Sequence, residues 1–228
     1  MAALTIQDPA KLAEESRELL AGLAQLDWGS DFYLAGSAAL TLYLRHRPVR
    51  DLDLMTQVRR LQSIERRDLL QDLLALDGDT CVETARDGFL YVRAGGGVAL
   101  RLYHYPYPLV DAEETFVDVA VASPVDLGLM KLGAIISRGT RRDFVDLYLL
   151  CREIPLADLL ERSLDKFGHV QDFPLQALTG LADLSQVEGE TMPKLSRSVS
   201  WDEVESWLLE EVRSLGRQYV GLDPPEKE

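Results

Sequence analysis

Apolar side chains recur at two different spacings along this chain, and the switches between them mark its elements. Leu12, Leu19, Leu20, Leu23 and Leu26 follow helical spacing, so one helix is expected from Asp8-Pro9 to about Leu26. Asp8 is a capping side chain and Pro9 suits the first helical position. Trp28-Gly29-Ser30 breaks the pattern, and residues 31–35 read as a short buried strand. Gly36-Ser37 is a turn, and residues 38–45 are rich in helix formers. Charged and apolar side chains alternate over 50–55, the period of a strand. Residues 61–76 return to the helical period, with Ile64, Leu69, Leu73 and Leu76 on one side.

Strand signals dominate the next stretch: 80–85, 89–93 and 98–103, separated by Asp87-Gly88 and Gly95-Gly96-Gly97. A further short strand is expected over 115–120. Ser123-Pro124-Val125-Asp126 is a capping box, and its helix runs to about Ser137. Helices follow over 141–151 and from Pro155, with candidates at 158–167 and 174–184. Residues 189–198 form a polar loop. Ser200-Trp201-Asp202-Glu203 is a second capping box, opening a helix whose stripe is Trp201, Val204, Trp207, Leu208, Val212 and Leu215. Residues 223–228 carry two prolines and charges and read as a frayed tail. The order implies an α+β fold: a mixed sheet flanked by helices over 1–150, then a helical C-terminal region over 151–228.

Composition narrows the class. The chain has 228 residues, 46% of them hydrophobic and 27% charged, an ordinary globular mix. No apolar run reaches the roughly 20 residues that cross a bilayer, and the start lacks a basic-then-apolar signal pattern. Cys81 and Cys151 read as reduced, buried thiols, so a cytoplasmic setting is expected. Lysine and arginine number 24 against 38 acids, a net charge of -14. That excludes a broadly basic nucleic-acid clamp but leaves room for local patches. Arginines do cluster, at Arg45, Arg47 and Arg50, at Arg59, Arg60, Arg66 and Arg67, and at Arg138, Arg141 and Arg142. Solvated helix faces and a basic rim around a polyanion site both fit these clusters.

Two short features carry chemistry together. At Gly36-Ser37 a strand ends and a helix begins, so unpaired amides and the positive end of the helix dipole face outward. That end suits a nucleotide phosphate. Alone, such a turn is more often a plain strand–helix connection. Asp51 and Asp53 lie two apart on the next strand, so both carboxylates take one side while Leu52 and Leu54 take the other. Two acids on one face repel unless a cation lies between them, and magnesium takes oxygen ligands while retaining phosphates and waters. Alone, the pair would be a charged strand face. In succession the two features support each other.

The segment from Phe32 through Gly36-Ser37-Ala38-Ala39-Leu40, then Arg45-His46-Arg47 and Asp51-Leu52-Asp53-Leu54, resembles the core motif of the AbiEii/AbiGii toxin class of nucleotidyltransferases, within the DNA polymerase β-like superfamily. A second block is also similar: Pro124, Lys131-Leu132-Gly133-Ala134-Ile135, Arg138-Gly139 and Arg142-Asp143-Phe144-Val145-Asp146-Leu147-Tyr148. The resemblance spans about residues 31–150 and implies a nucleotidyltransferase-fold sheet. It implies that Gly36 and Ser37 bind phosphate, that Asp51 and Asp53 hold Mg2+ (or Mn2+), and that Lys131 contacts the triphosphate. Asp143 then orients Lys131 or the nucleotide. Asp146 is a second candidate for that role, and Asp143 and Asp146 also read as helix-surface charges paired with Arg142 or Arg138.

Three departures stand out. Many relatives have serine where this chain has Val49. The third carboxylate usual in the superfamily is missing from the strand near 98–105, which carries Arg101 and His104 instead; Asp111 and Asp118 lie beyond it. His104 could act as base near neutral pH, although between Tyr103 and Tyr105 it also reads as a packed strand residue. The acidic composition is the third. The function implied is transfer of a nucleoside monophosphate from a nucleoside triphosphate to an acceptor hydroxyl. The resemblance suggests RNA, such as a tRNA end, and the toxin of a toxin–antitoxin pair with a cognate antitoxin. Two alternatives stay open: modification of a small cation such as an aminoglycoside, which the acidic charge would favour, and an inactive nucleotide-binding module.

Overall fold

The computed structural model describes residues 4–7 and 9–219. Asp8, expected to cap the first helix, and the 223–228 tail lie outside the described residues. The chain divides between Leu127 and Gly128 into two compact units.

The first unit is built on a seven-stranded mixed sheet. Its strands are β1 (Tyr33–Ala35), β2 (Leu52–Thr56), β3 (Cys81–Arg86), β4 (Phe89–Ala94), β5 (Val98–His104), β6 (Glu114–Phe116) and β7 (Val119–Val121), in the order β3-β4-β5-β2-β1-β7-β6. The pairs β2–β5 and β1–β7 are parallel and the rest antiparallel. Alternation decides the faces. Leu52, Leu54, Leu90, Val92, Leu100 and Leu102 are buried, while Asp53, Met55, Tyr91 and Arg101 between them are half-buried. Helices α1 (Glu14–Ala24), α2 (Gly36–Leu44) and α3 (Ser63–Leu76) belong to this unit.

Several expectations change in detail. The first helix does not run unbroken from Pro9. A 3-10 turn at Pro9–Lys11 comes first, because Lys11 and Ala13 exchange backbone hydrogen bonds with Val49 (2.8 and 2.9 Å). The segment 115–120 is a hairpin, not one strand: Val117 and Asp118, at φ 44 and 62, turn β6 back along β7. In α3 only Leu69 and Leu73 are buried; Ile64 is 65% exposed, and Leu76 lies over Gly22 of α1 with 41% of its surface open. Cys81 is exposed, against the expectation of two buried thiols, because β3 is an edge strand whose six residues all face solvent.

Helix α4 (Pro124–Arg138) crosses the division, and α5 (Arg141–Leu150), α6 (Leu156–Phe167), α7 (Phe173–Ala182) and α8 (Trp201–Tyr219) complete the second unit. The sequence boundary near 150 follows the end of a motif, whereas compactness groups α5 with the helices after it. Gly128 shows why: a Cβ there would stand 2.8–3.0 Å from Leu159 and Leu150, so its absence lets α4 approach α5 and α6 closely. At both expected helix starts the serine caps the first turn, Ser123 Oγ accepting from the Asp126 amide at 3.0 Å and Ser200 Oγ from the Glu203 amide at 3.1 Å.

Candidate active site

The start of α2 and the β2 carboxylates come together through register. Ala35, the last residue of β1, pairs with Asp53 of β2. Gly36 then turns the chain at φ +61 into the helix, and a Cβ on it would lie 2.4 Å from Asp53 Oδ2. Only glycine satisfies both the backbone angle and this contact. The Asp53 carboxylate therefore rests against the first residue of a helix whose leading amides and dipole favour anions. Ser37 follows, half-buried, in the same first turn.

Asp51 immediately precedes β2 and meets Asp53 through a shared cation. Arg101 of β5, the register partner of Asp53, donates from Nη2 to Asp51 Oδ2 at 3.2 Å and from Nη1 to Asp53 Oδ1 at 3.3 Å. Burial works against the Arg101 charge, but Asp53 and then Asp51 outweigh it and hold its pKa above the ordinary arginine value. The two acids are thus arranged to share one positive charge, the donor set a magnesium ion uses when substrate phosphates complete its shell. Two carboxylates fit that role. Among the described residues no group of three or more His, Cys, Asp or Glu side chains could hold a metal, so no third acid joins the pair. The strand expected to supply one supplies Arg101.

In the second unit, Lys131 of α4 is 7% exposed and lies between two acids of α5. Its Nζ donates to Asp143 Oδ1 at 2.8 Å and to Asp146 Oδ2 at 2.9 Å. Asp143 also accepts from the Thr140 hydroxyl (2.7 Å) and amide (3.1 Å), closing the capping box of α5. Burial opposes both charges. The Asp146 and Asp143 carboxylates nevertheless raise Lys131, and Lys131 with Thr140 lowers Asp143. Asp146 is fully buried, which rules out the surface-charge alternative for it. Its partner is Lys131.

His104 is half-buried at the end of β5, with Nδ1 enclosed and lacking a hydrogen-bond partner. Asp118 sits in the β6–β7 turn. The Asp111 amide donates to buried Asp126, which also accepts from Val110 and ties down that loop. Many of the clustered arginines have internal partners. Arg59 pairs with Asp31, Arg66 with Asp87, Arg67 with Asp68, and Arg50 with Glu15. Reasoning from sequence missed the bridging role of Arg101 and the anchoring role of Asp126. Both contacts depend on register and loop path rather than local pattern.

The family model for the nucleotidyl transferase AbiEii toxin of type IV toxin–antitoxin systems matches residues 18–201. The chain belongs to the AbiEii nucleotidyltransferase toxin family. It is accordingly a nucleotidyltransferase, as the Gly36-Ser37 and Asp51-Leu52-Asp53 motifs imply. An uncharacterised protein of Aquifex aeolicus is 30% identical over 145 residues, covering 63% of this chain and 68% of that protein. Among solved structures, an H. pylori protein assigned as a nucleotidyltransferase superposes with a TM-score of 0.54 at 17% identity, covering 93% of this chain and 99% of that one. MenT4, a nucleotidyltransferase toxin of Mycobacterium tuberculosis, gives 0.52 at 15% identity, covering 90% of this chain and 86% of that one. At such identities these two structures attest a shared fold alone. No helix among the described residues is long and apolar enough to cross a membrane.

Proposed function

We propose that this AbiEii-family protein transfers a nucleoside monophosphate from a nucleoside triphosphate to a hydroxyl of an RNA acceptor in the cytoplasm, releasing pyrophosphate, as the toxin of a pair with a cognate antitoxin. The observation that carries the chemistry is the Asp53 carboxylate set against Gly36 at the start of α2, with Asp51 sharing its counter-charge.

In this reading Asp51 and Asp53 hold Mg2+. When bound, that ion offsets phosphate charge and polarises the acceptor oxygen. The chain's own residues do the positioning. The Gly36 and Ser37 amides at the α2 terminus receive the phosphate oxygens. Gly36 keeps the Asp53 carboxylate at a fixed distance from them. Lys131, held by Asp143 and Asp146, takes the triphosphate contact that the family motif implies for it. Arg101, which bridges both carboxylates, would stand beside them as a positive charge for the substrate phosphates were Asp51 and Asp53 to hold the ion. Orientation and charge neutralisation supply most of the rate in transfers of this type. No third acid joins the pair among the described residues, and His104 shares the Leu100 and Leu102 side of β5, opposite Asp53 and Arg101, so no side chain is assigned as base for the acceptor hydroxyl.

The test is transfer of labelled nucleotide to total tRNA in the presence of magnesium. Wild type is expected to label RNA, and Asp51→Asn with Asp53→Asn is expected to abolish labelling. Equal labelling by the double variant, or none by wild type, would reject the reading. Label appearing on an aminoglycoside instead would select the small-molecule acceptor, which the net charge of -14 favours.

A further inference from the structure

The half-exposed sheet face beside Asp53 carries a ladder of alternating arginine and aromatic side chains. Register pairs Asp53 with Arg101, Arg101 with Tyr91, Tyr103 with Phe89, and Phe89 with Arg86, so all of these point to one side. The opposite side holds the buried Leu90, Val92, Leu100 and Leu102. The Arg101 guanidinium lies 5.0 Å from the Tyr91 ring centre, with Arg93 at 5.9 Å from that same ring. Arg86 lies 5.1 Å from the Phe89 ring, and Phe89 meets Tyr103 at 4.8 Å between centroids. Arg86 and Arg93 are exposed, the aromatic rings half-buried, and β3 beyond them is an open edge.

We propose that this ladder is the binding surface for the single-stranded 3′ end of the acceptor RNA. Flat guanidinium and ring surfaces stack bases without regard to sequence, and arginine also meets the phosphates between them. At about 4.8 Å per strand, the three steps from β2 to β3 span roughly 14 Å, room for two or three unstacked nucleotides leading to the carboxylates. A surface this narrow does not fit a duplex, whose backbones need a wide basic face that a chain of net charge -14 lacks. The 2.7 Å ion pair between Arg93 and Glu83 does not stand in the way, since both side chains are substantially exposed and such pairs are weak. The inference rests on the transferase reading only for what happens at the 3′ end; the binding itself needs neither nucleotide nor metal.

Equilibrium binding of the full chain to a fluorescent single-stranded hexanucleotide, without triphosphate or magnesium, therefore tests it independently of transfer. Arg86→Glu with Arg93→Glu is expected to weaken binding about tenfold. Tyr91→Ala should weaken it fivefold or more while Tyr91→Phe does not. Triphosphate affinity should stay unchanged in Tyr91→Phe, which keeps the ring against Arg101. Arg60→Glu with Arg67→Glu, an equal change of charge on exposed residues elsewhere, should leave oligonucleotide binding within about twofold. Because the ladder touches few phosphates, the logarithm of affinity should fall with the logarithm of salt at a slope of about -1.4, that of two contacts to a single strand. The proposal is overturned if wild type does not bind, if it holds the same RNA as a duplex equally tightly, or if the control pair weakens binding as much as the ladder pair. It is also overturned if the ladder pair binds like wild type. A ladder that binds RNA in a protein that transfers nothing would reject the transferase reading alone.

Discussion

A methyl group at Gly36 meets two separate penalties. The left-handed backbone costs an L-residue about 1–2 kcal/mol. The Cβ would also stand 2.4 Å from Asp53 Oδ2, so the carboxylate must move. The fold can tolerate a shifted carboxylate tip, but a metal site cannot. Gly36→Ala should therefore lower stability by only about 1–2 kcal/mol in urea titration, yet reduce nucleotide transfer by about a hundredfold or more, as misplacement near 1 Å does. Unchanged transfer would remove Gly36 and Asp53 from the site. Lys131 behaves in the opposite way. Lys131→Met leaves Asp146 charged and fully buried, so a stability loss of about 3–5 kcal/mol is expected by calorimetry. Lost activity in that variant would then say little about catalysis. The pair also sets a pH window. The folded pKa of Asp143 is lowered, so its contribution is present above its unfolded value near 3.9 and lost as pH falls through the folded one. That of Lys131 is raised, so its contribution is present below about 10.4 and lost as pH rises through the folded value. Stability should plateau between those limits, and Asp143→Asn should flatten the acid limb. That Gly36 comes beside Asp53, and Lys131 beside Asp143, is foreshadowed by the motif and the family resemblance. That Asp146 is buried, or that Arg101 bridges acids 48 and 50 positions away, is not, because such contacts exist only once strands and helices have paired.

Most elements followed from period alone, since buried strands alternate and buried helices repeat every three to four residues. The exceptions share a cause. The β6–β7 hairpin carries no local sequence signal, because Val117-Asp118 lacks the Asn-Gly or Asp-Gly pair that Asp87-Gly88 displays between β3 and β4. A valine at φ 44 is strained, since its branched side chain crowds the left-handed backbone. Val117→Asn should accordingly raise stability by about 1 kcal/mol in urea denaturation, with no change in transfer. A neutral or destabilising result would mean that Val117 packing outweighs its strain. Ile64 and Leu76 misled differently. They lie on the expected stripe, but a helix lying on the edge of its unit buries only the centre of that stripe, here Leu69 and Leu73. At α4 the pattern was right and the grouping was not visible. Close packing at Gly128 draws α5 toward the later helices, and one small residue in a continuous apolar run does not announce that.

At the scale of the molecule, charge and site make separable demands. A net charge of -14 destabilises the compact state through self-repulsion, which any added salt relieves. Magnesium would relieve it too, so a rise in melting temperature with MgCl2 proves nothing by itself. The site adds a second effect. Asp51 and Asp53 already share Arg101 at 3.2 and 3.3 Å, so an ion entering there must displace a guanidinium that the acids hold only at the outer limit of hydrogen bonding. Mg2+ carries twice the charge and approaches carboxylate oxygens to about 2.0–2.1 Å, which favours the exchange. Binding to the folded state alone stabilises by about 1.4 kcal/mol at ten times the dissociation constant. At matched ionic strength MgCl2 should therefore raise the melting temperature above NaCl, and Asp51→Asn with Asp53→Asn should erase the difference while keeping the response common to both salts. Arg101→Gln should widen the difference, because the metal then meets two uncompensated acids rather than an occupied pair. Melting curves that coincide in the two salts for wild type would mean that Arg101, not a metal, is the lasting partner of these carboxylates.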